Sequence, residues 1–100
     1  MGTKKAISLF ESIGKMEKLV ELNILFYDNG LMIEGGIMFA NALSRLLDLS
    51  TLKVDLRTNH LGEEGTNAIT EEISKLPKLK HLDISFWNNE IKDSKTLLFA

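Results

Sequence analysis

Tyr27, Arg57 and Trp87 stand thirty positions apart in this chain, and their chemistry suits recognition of another protein. Tyr, Arg and Trp are the residue types most enriched among those that dominate interface energies. Set side by side, they would also hold the Arg57 cation against ring faces, an attraction of about 0.5–1 kcal/mol at an exposed site. The same arrangement has a plainer reading, in which an arginine packed on neighbouring aromatics only helps to hold three strands together. Both readings stand at the level of sequence.

Acid–base and metal chemistry find less support. His60 with Glu63 and Glu64 looks like half of a metal-ligand cluster, but the stretch crosses a turn and a helix start rather than one helix face. Glu63 and Glu64 have a simpler use, as does Glu34 thirty positions before Glu64: their charge complements the positive end of the helix that follows. His81 adjoins the apolar position Leu82 and is expected at the surface or between neighbouring units. Cysteine is absent, so no thiolate site and no disulfide framework is expected. The pair Gly35-Gly36 lacks the rest of any phosphate-binding motif. No catalytic residue, metal ligand or cofactor is expected, and the chain is read as not being an enzyme.

Positioning such residues requires regular elements, and the chain declares them by repetition. Leu19, Leu49 and Leu79 are thirty residues apart, as are Leu22, Leu52 and Leu82. The same offset aligns Ile24, Val54 and Ile84, then Phe26, Leu56 and Phe86, then Asn29, Asn59 and Asn89. Beyond the asparagines it aligns Leu31, Leu61 and Ile91, then Gly35 with Gly65, then Phe39, Ile69 and Phe99. Leu43 and Leu46 recur as Ile73 and Leu76, and read backwards the register sets Leu9, Ile13 and Met16 in the lanes of Phe39, Leu43 and Leu46. No insertion or deletion interrupts the pattern.

Each unit has two halves of different period. Residues 52–57 alternate strictly between apolar and polar, which predicts a half-buried strand. From Thr66 to Leu76 the apolar residues Ile69, Ile73 and Leu76 step by four and three, which predicts a helix that Pro77 ends. Gly35 and Gly65 are expected at the helix starts, where a side chain would strike the neighbouring unit or a positive φ is needed. Asn29, Asn59 and Asn89 fall where the strand curves away and backbone groups lose their ladder partners. A buried side-chain amide can satisfy those groups, so stacked units predict a structural asparagine ladder. Ile7, Phe10, Ile37 and Met38 lie off the main apolar stripe and form either an exposed patch or wider packing between units; packing is the reading preferred.

The segment Leu52-x-Val54-x-Leu56-x-x-Asn59-x-Leu61-Gly62-Glu63-Glu64-Gly65 resembles a leucine-rich repeat of the ribonuclease-inhibitor-like class. The resemblance covers essentially the whole chain: a helical half-repeat at 4–18, repeats at 19–48 and 49–78, and an incomplete repeat at 79–100, where Lys95 stands in place of the helix-start glycine. It implies an α/β leucine-rich-repeat solenoid, a right-handed β-α horseshoe fragment with a parallel sheet on the concave face and helices on the convex face. Its implied use is as a scaffold for protein–protein interaction. Some proteins of this repeat class stimulate a GTPase, a remote alternative that no motif in the sequence carries.

Side chains alternate across a sheet, so the polar lanes between the apolar ones predict the concave surface. The first lane is Asn23, Lys53, Asp83; the second Leu25, Asp55, Ser85; the third Tyr27, Arg57, Trp87. These nine residues are the expected contacts for a protein partner of unknown identity.

Composition bounds the rest. A chain of 100 residues with 44% hydrophobic and 26% charged content suits one small domain spanning 1–100, of modest stability because short chains bury a smaller share of their surface. A net charge of -2 argues against nucleic acid as a partner, which calls for a basic stripe. The apolar runs are too short for a membrane span, and Ser8, Glu11 and Ser12 break up any secretory core near the start. Ala6 stands where a myristoylation signal needs Ser or Thr. With neither cysteine nor an Asn-x-Ser/Thr acceptor present, an intracellular, cytoplasmic setting is expected. Finally, Leu97-Leu98-Phe99-Ala100 falls inside an expected helix, leaving strand 82–86 as an edge with an apolar flank. Either the chain is part of a longer array, the preferred reading, or it is a small structural subunit whose uncapped end is covered by a neighbour.

Overall fold

A computed structural model describes residues 2–86 and 89. Among them the elements run α1 (Thr3–Gly14), β1 (Glu21–Leu25), α2 (Met32–Leu43), β2 (Thr51–Asp55), α3 (Gly62–Ser74) and β3 (His81–Ser85). This is a mixed α/β fold with a three-stranded parallel sheet in the order β1-β2-β3. Every residue of β1 and β2 pairs with the one thirty positions later: Leu22 with Leu52 and Leu52 with Leu82, Leu25 with Asp55 and Asp55 with Ser85. No helix among the described residues is long and apolar enough to cross a membrane.

One face of the sheet meets the helices, and the core lies between them. Leu22, Leu52 and Val54 from the strands pack with Phe10, Phe39, Leu43, Ile69 and Ile73 from the helices. Leu31 and Leu61, each just ahead of a helix, are fully buried, as are Leu46 and Leu49 on the return from α2 to β2. Removing one such leucine side chain would cost about 2–5 kcal/mol through lost burial and the cavity left behind.

The helices begin earlier than the glycine positions suggest: α2 at Met32 and α3 at Gly62, three residues before Gly35 and Gly65. The cause lies outside the helices. Met32 N–H donates to the Asn59 carbonyl, and Gly62 N–H to the Asn89 carbonyl, each at 2.9 Å. An acceptor in the following turn, 27 residues on, thus lets the helix start as soon as the leucine enters the core. The C-terminal end of α3, at Ser74 rather than Leu76, also falls short of Pro77.

Neither Gly35 nor Gly65 has a positive φ; space is what demands them. A Cβ on Gly35 would lie 2.9 Å from the Leu31 Cβ, and one on Gly65 would lie 3.3 Å from the Leu61 Cβ. The tightest approach between helices is instead at Gly36, where a Cβ would sit 2.9 Å from the buried Leu61 Cδ2 and 3.3 Å from the Gly65 Cα.

The first helix departs from the thirty-residue register. Ile13 is buried, but Leu9 is 37% and Met16 52% exposed, while Ala6 and Phe10 take the core positions. Among the described elements α1 packs on α2 alone, so lanes that α2 fills against a preceding helix have nothing to meet on α1. Phe10 closes this end, with its ring 5.1 Å from that of Phe26 and 5.0 Å from that of Phe39. Of the other residues off the stripe, Ile7, Ile37 and Met38 are half-buried.

Because α2 and α3 meet backbone to backbone at Gly36, Gly36→Ala is expected to lower unfolding stability by about 1–3 kcal/mol, the usual cost of overpacking. Gly2→Ala, with nothing within 4 Å of the added carbon, should cost less, under about 1 kcal/mol, through the poorer N-cap of α1 alone. Urea titration of both variants decides the point.

Candidate functional site

The strand alternation that sends Leu22, Leu52 and Val54 inward turns their neighbours to the other face of the sheet. Asn23, Lys53 and Asp83 are exposed there and share one register row. Leu25, Asp55 and Ser85 form the next row, Leu25 exposed and the other two half-buried. Leu25 is the most exposed large apolar residue described, at 78%. Tyr27 and Arg57 follow two residues beyond the strands and are also exposed. Trp87, expected as the third member of their lane, lies outside the described residues, as do Ile91, Lys95 and Phe99.

Arg57 is held on both sides. Its Nε donates to one Asp55 carboxylate oxygen at 2.9 Å and its Nη2 to the other at 2.7 Å, a two-point fork. The Arg57 backbone N–H adds a third bond to the same carboxylate at 3.2 Å. Its guanidinium carbon lies 4.9 Å from the centre of the Tyr27 ring, within reach of a cation–π attraction. Sequence reasoning anticipated the Tyr27 contact and missed the ion pair. The signal was present, since the apolar–polar alternation of residues 52–57 sets Asp55 and Arg57 on one face.

Electrostatics follow from the fork. Its hydrogen bonds from Arg57 hold the Asp55 carboxyl below the usual aspartate range, against the opposing effect of partial burial. Asp55 in turn raises the Arg57 guanidinium above its ordinary value. The pair is open to solvent, with side chains 44% and 18% exposed for Arg57 and Asp55. Its use is therefore to fix the direction of Arg57 more than to add stability.

The turns beneath are fixed by the asparagines. Asn59 is fully buried: its Oδ1 accepts from Asn29 N–H at 2.9 Å and Leu31 N–H at 3.4 Å. Its Nδ2 donates to the carbonyls of Phe26 at 2.6 Å and Arg57 at 3.2 Å. Asn89 repeats the arrangement thirty residues on, accepting from Asn59 and Leu61 N–H and donating to the Leu56 and Phe86 carbonyls. Asn29 is half-buried and donates its Nδ2 to the Tyr27 carbonyl at 3.1 Å. Asp28 N–H reaches the Arg57 carbonyl at 3.0 Å, which sets the Tyr27 turn directly beside that of Arg57. The turns are left-handed at equivalent positions, with φ of 54° at Asp28 and 57° at Thr58.

The other sequence candidates are dispersed. His60 lines a surface recess with Met32, Ile33, Glu34 and Gly62, whereas Glu63 and Glu64 line a different one with Asn67, Ala68 and Glu71. Glu34, Glu63 and Glu64 do occupy the first turns of their helices. No group of His, Cys, Asp and Glu able to hold a metal ion occurs among the described residues.

The fork makes a prediction about acid. Asp55 has a folded-state pKa below its unfolded one, so its contribution is present above the ordinary aspartate range and is lost as pH falls through the lowered value. In an NMR titration the Arg57 Nε–H and the Tyr27 ring resonances are expected to shift together, and only below that range. A joint transition at or above it would contradict the pairing.

Compared with protein-family models, with curated proteins and with solved structures, the chain matches none, so its own geometry carries the functional reading.

Proposed function

We propose that this chain is a leucine-rich-repeat solenoid of the ribonuclease-inhibitor-like class that serves as an interaction scaffold, binding a partner protein through the outer face of its sheet. The observation that carries the reading is the combination on that face of a 78% exposed Leu25 and Tyr27 with an Arg57 already fixed by Asp55. An apolar side chain so exposed gains nothing from folding, but gains about 1.5–3 kcal/mol if a partner buries it. An arginine locked in a fork before docking loses less conformational freedom on binding.

The repeat reading draws support from the register, since β1 and β2 each pair with the strand thirty residues on. In a solenoid of this class that sheet would line the concave surface. The nine lane residues, Trp87 included by register, form the proposed contact set. The role is recognition rather than catalysis, in an intracellular setting.

A second reading is favoured by one observation. Among the described strands β1 has a partner on one side only, and the residues leading to it include Met16 and Val20, 52% and 55% exposed. A subunit or further repeats docked on that flank would cover both, making the chain a structural part of a larger assembly.

The two readings separate cleanly. A partner captured from native extract, then purified and titrated, should lose about 2 kcal/mol of affinity, roughly thirtyfold, with Arg57→Ala and again with Leu25→Ser. Circular dichroism should show the fold unchanged. If neither change weakens binding but Val20→Asp does, recognition runs through the β1 flank and the scaffold reading fails.

A further inference from the structure

The three asparagines of the repeated turn differ in one chemical respect: Asn29 is followed by Gly30, whereas Asn59 and Asn89 precede His60 and Glu90. An Asn-Gly bond is the sequence most prone to cyclise, because the glycine nitrogen meets no side chain as it approaches the asparagine carbonyl carbon. We propose that Asn29-Gly30 is a self-modifying site at which Asn29 converts spontaneously to aspartate and isoaspartate, loosening the turn that carries Tyr27.

The geometry sets this position apart. A Cβ at Gly30 would have no atom within 4 Å outside the adjoining residues, so no packed neighbour crowds the turn at this glycine. The Gly30 N–H has no hydrogen-bond partner among the described residues; the Gly30 carbonyl, in the next peptide group, accepts from the Thr3 hydroxyl at 2.8 Å. The Asn29 Nδ2 bond to the Tyr27 carbonyl lies in an exposed position. Asn59 is the internal control, being fully buried with its amide bonded to two carbonyls and two N–H groups. Asn41 and Asn67 lie within helices and precede alanines, where the backbone cannot fold back on the side chain without breaking the helix.

The reaction needs only water. The Gly30 nitrogen loses its proton to solvent base and bonds to the Asn29 Cγ; the Cγ–Nδ2 bond breaks, and Nδ2 takes up a proton and leaves as ammonia. Water then opens the five-membered imide at either carbonyl. One product is aspartate; the other is isoaspartate, in which the main chain runs through the former side chain and is longer by one methylene. Either product removes the Nδ2 donor to the Tyr27 carbonyl and adds a negative charge beside Asp28; in aspartate a carboxylate oxygen takes the place of Nδ2, and in isoaspartate the carboxylate is the former main-chain carbonyl. The isoaspartate form also displaces Asn29 N–H from the Asn59 Oδ1.

The test is incubation of the intact chain in mildly alkaline buffer at physiological temperature, followed by tryptic mapping of the peptides from Leu19 to Arg45 and from Thr58 to Lys75. Isoaspartate is read by enzymatic carboxyl methylation and placed by fragmentation. Conversion is expected at Asn29 ahead of Asn23 and Asn41, with Asn59 unchanged. The variant Gly30→His, which copies the residue that the next turn carries with a φ of 55° at His60, should lose nearly all conversion. In the converted form, separated by its added charge, the Arg57-to-Tyr27 ring contact seen by NMR should disappear. Conversion at Asn23 or Asn41 at an equal rate, its persistence in Gly30→His, or an unaltered ring contact after conversion would overturn the proposal.

Discussion

The rest of this structure depends on one side-chain amide, that of Asn59. A chain that turns out of a strand leaves backbone donors and acceptors with no ladder to join, and burying them unpaired would cost about 1–3 kcal/mol each. Asn59 is fully buried and satisfies four of them at once: the N–H groups of Asn29 and Leu31 and the carbonyls of Phe26 and Arg57. Its own backbone continues the pattern, since its carbonyl receives Met32 N–H and its N–H reaches the Asn89 Oδ1. No apolar residue could fill the position, and neither aspartate nor serine offers both two donors and an acceptor.

The consequences extend to both faces of the sheet. On the inner side the satisfied turn lets Leu31 drop fully into the core and lets α2 begin immediately after it. On the outer side the same amide anchors the Arg57 carbonyl, while Asp28 N–H ties the Tyr27 turn to that carbonyl as well. The stack of Arg57 on Tyr27 therefore rests on backbone positions fixed from beneath, with the Asp55 fork directing the guanidinium from the side. A surface of this kind holds its polar and aromatic groups in one arrangement, which under the proposed binding role would spare a large ordering cost.

Much of this was legible in the sequence, because alternation and helical spacing are direct images of burial. The lanes Leu22, Leu52, Leu82 and Leu25, Asp55, Ser85 pair as their thirty-residue spacing requires. What was hidden depended on contacts far along the chain. The starts of α2 and α3 could not be placed from local signals, since their first N–H groups find acceptors at Asn59 and Asn89. The register also misplaced Leu9 and Met16, because copying a lane from α2 to α1 assumes a neighbour on the far side; Phe10 and Ala6 fill the core there instead. The left-handed conformation of Met32 was equally hidden, as a residue of this type rarely adopts one. The Asp55–Arg57 fork was visible in principle from two positions of opposite charge that the alternation sets on one face.

The most direct test of the account is residue-resolved hydrogen exchange on the chain and on its Asn59→Ala variant. If Asn59 is what closes the turn, the amides of Asn29 and Leu31 are protected in the parent chain. In the variant they should exchange far faster, while the amides of β2 within Thr51–Asp55 keep their protection. Unchanged protection at Asn29 and Leu31, or its loss only in step with the whole sheet, would contradict the claim that this one amide holds the turn and, through it, the outer face.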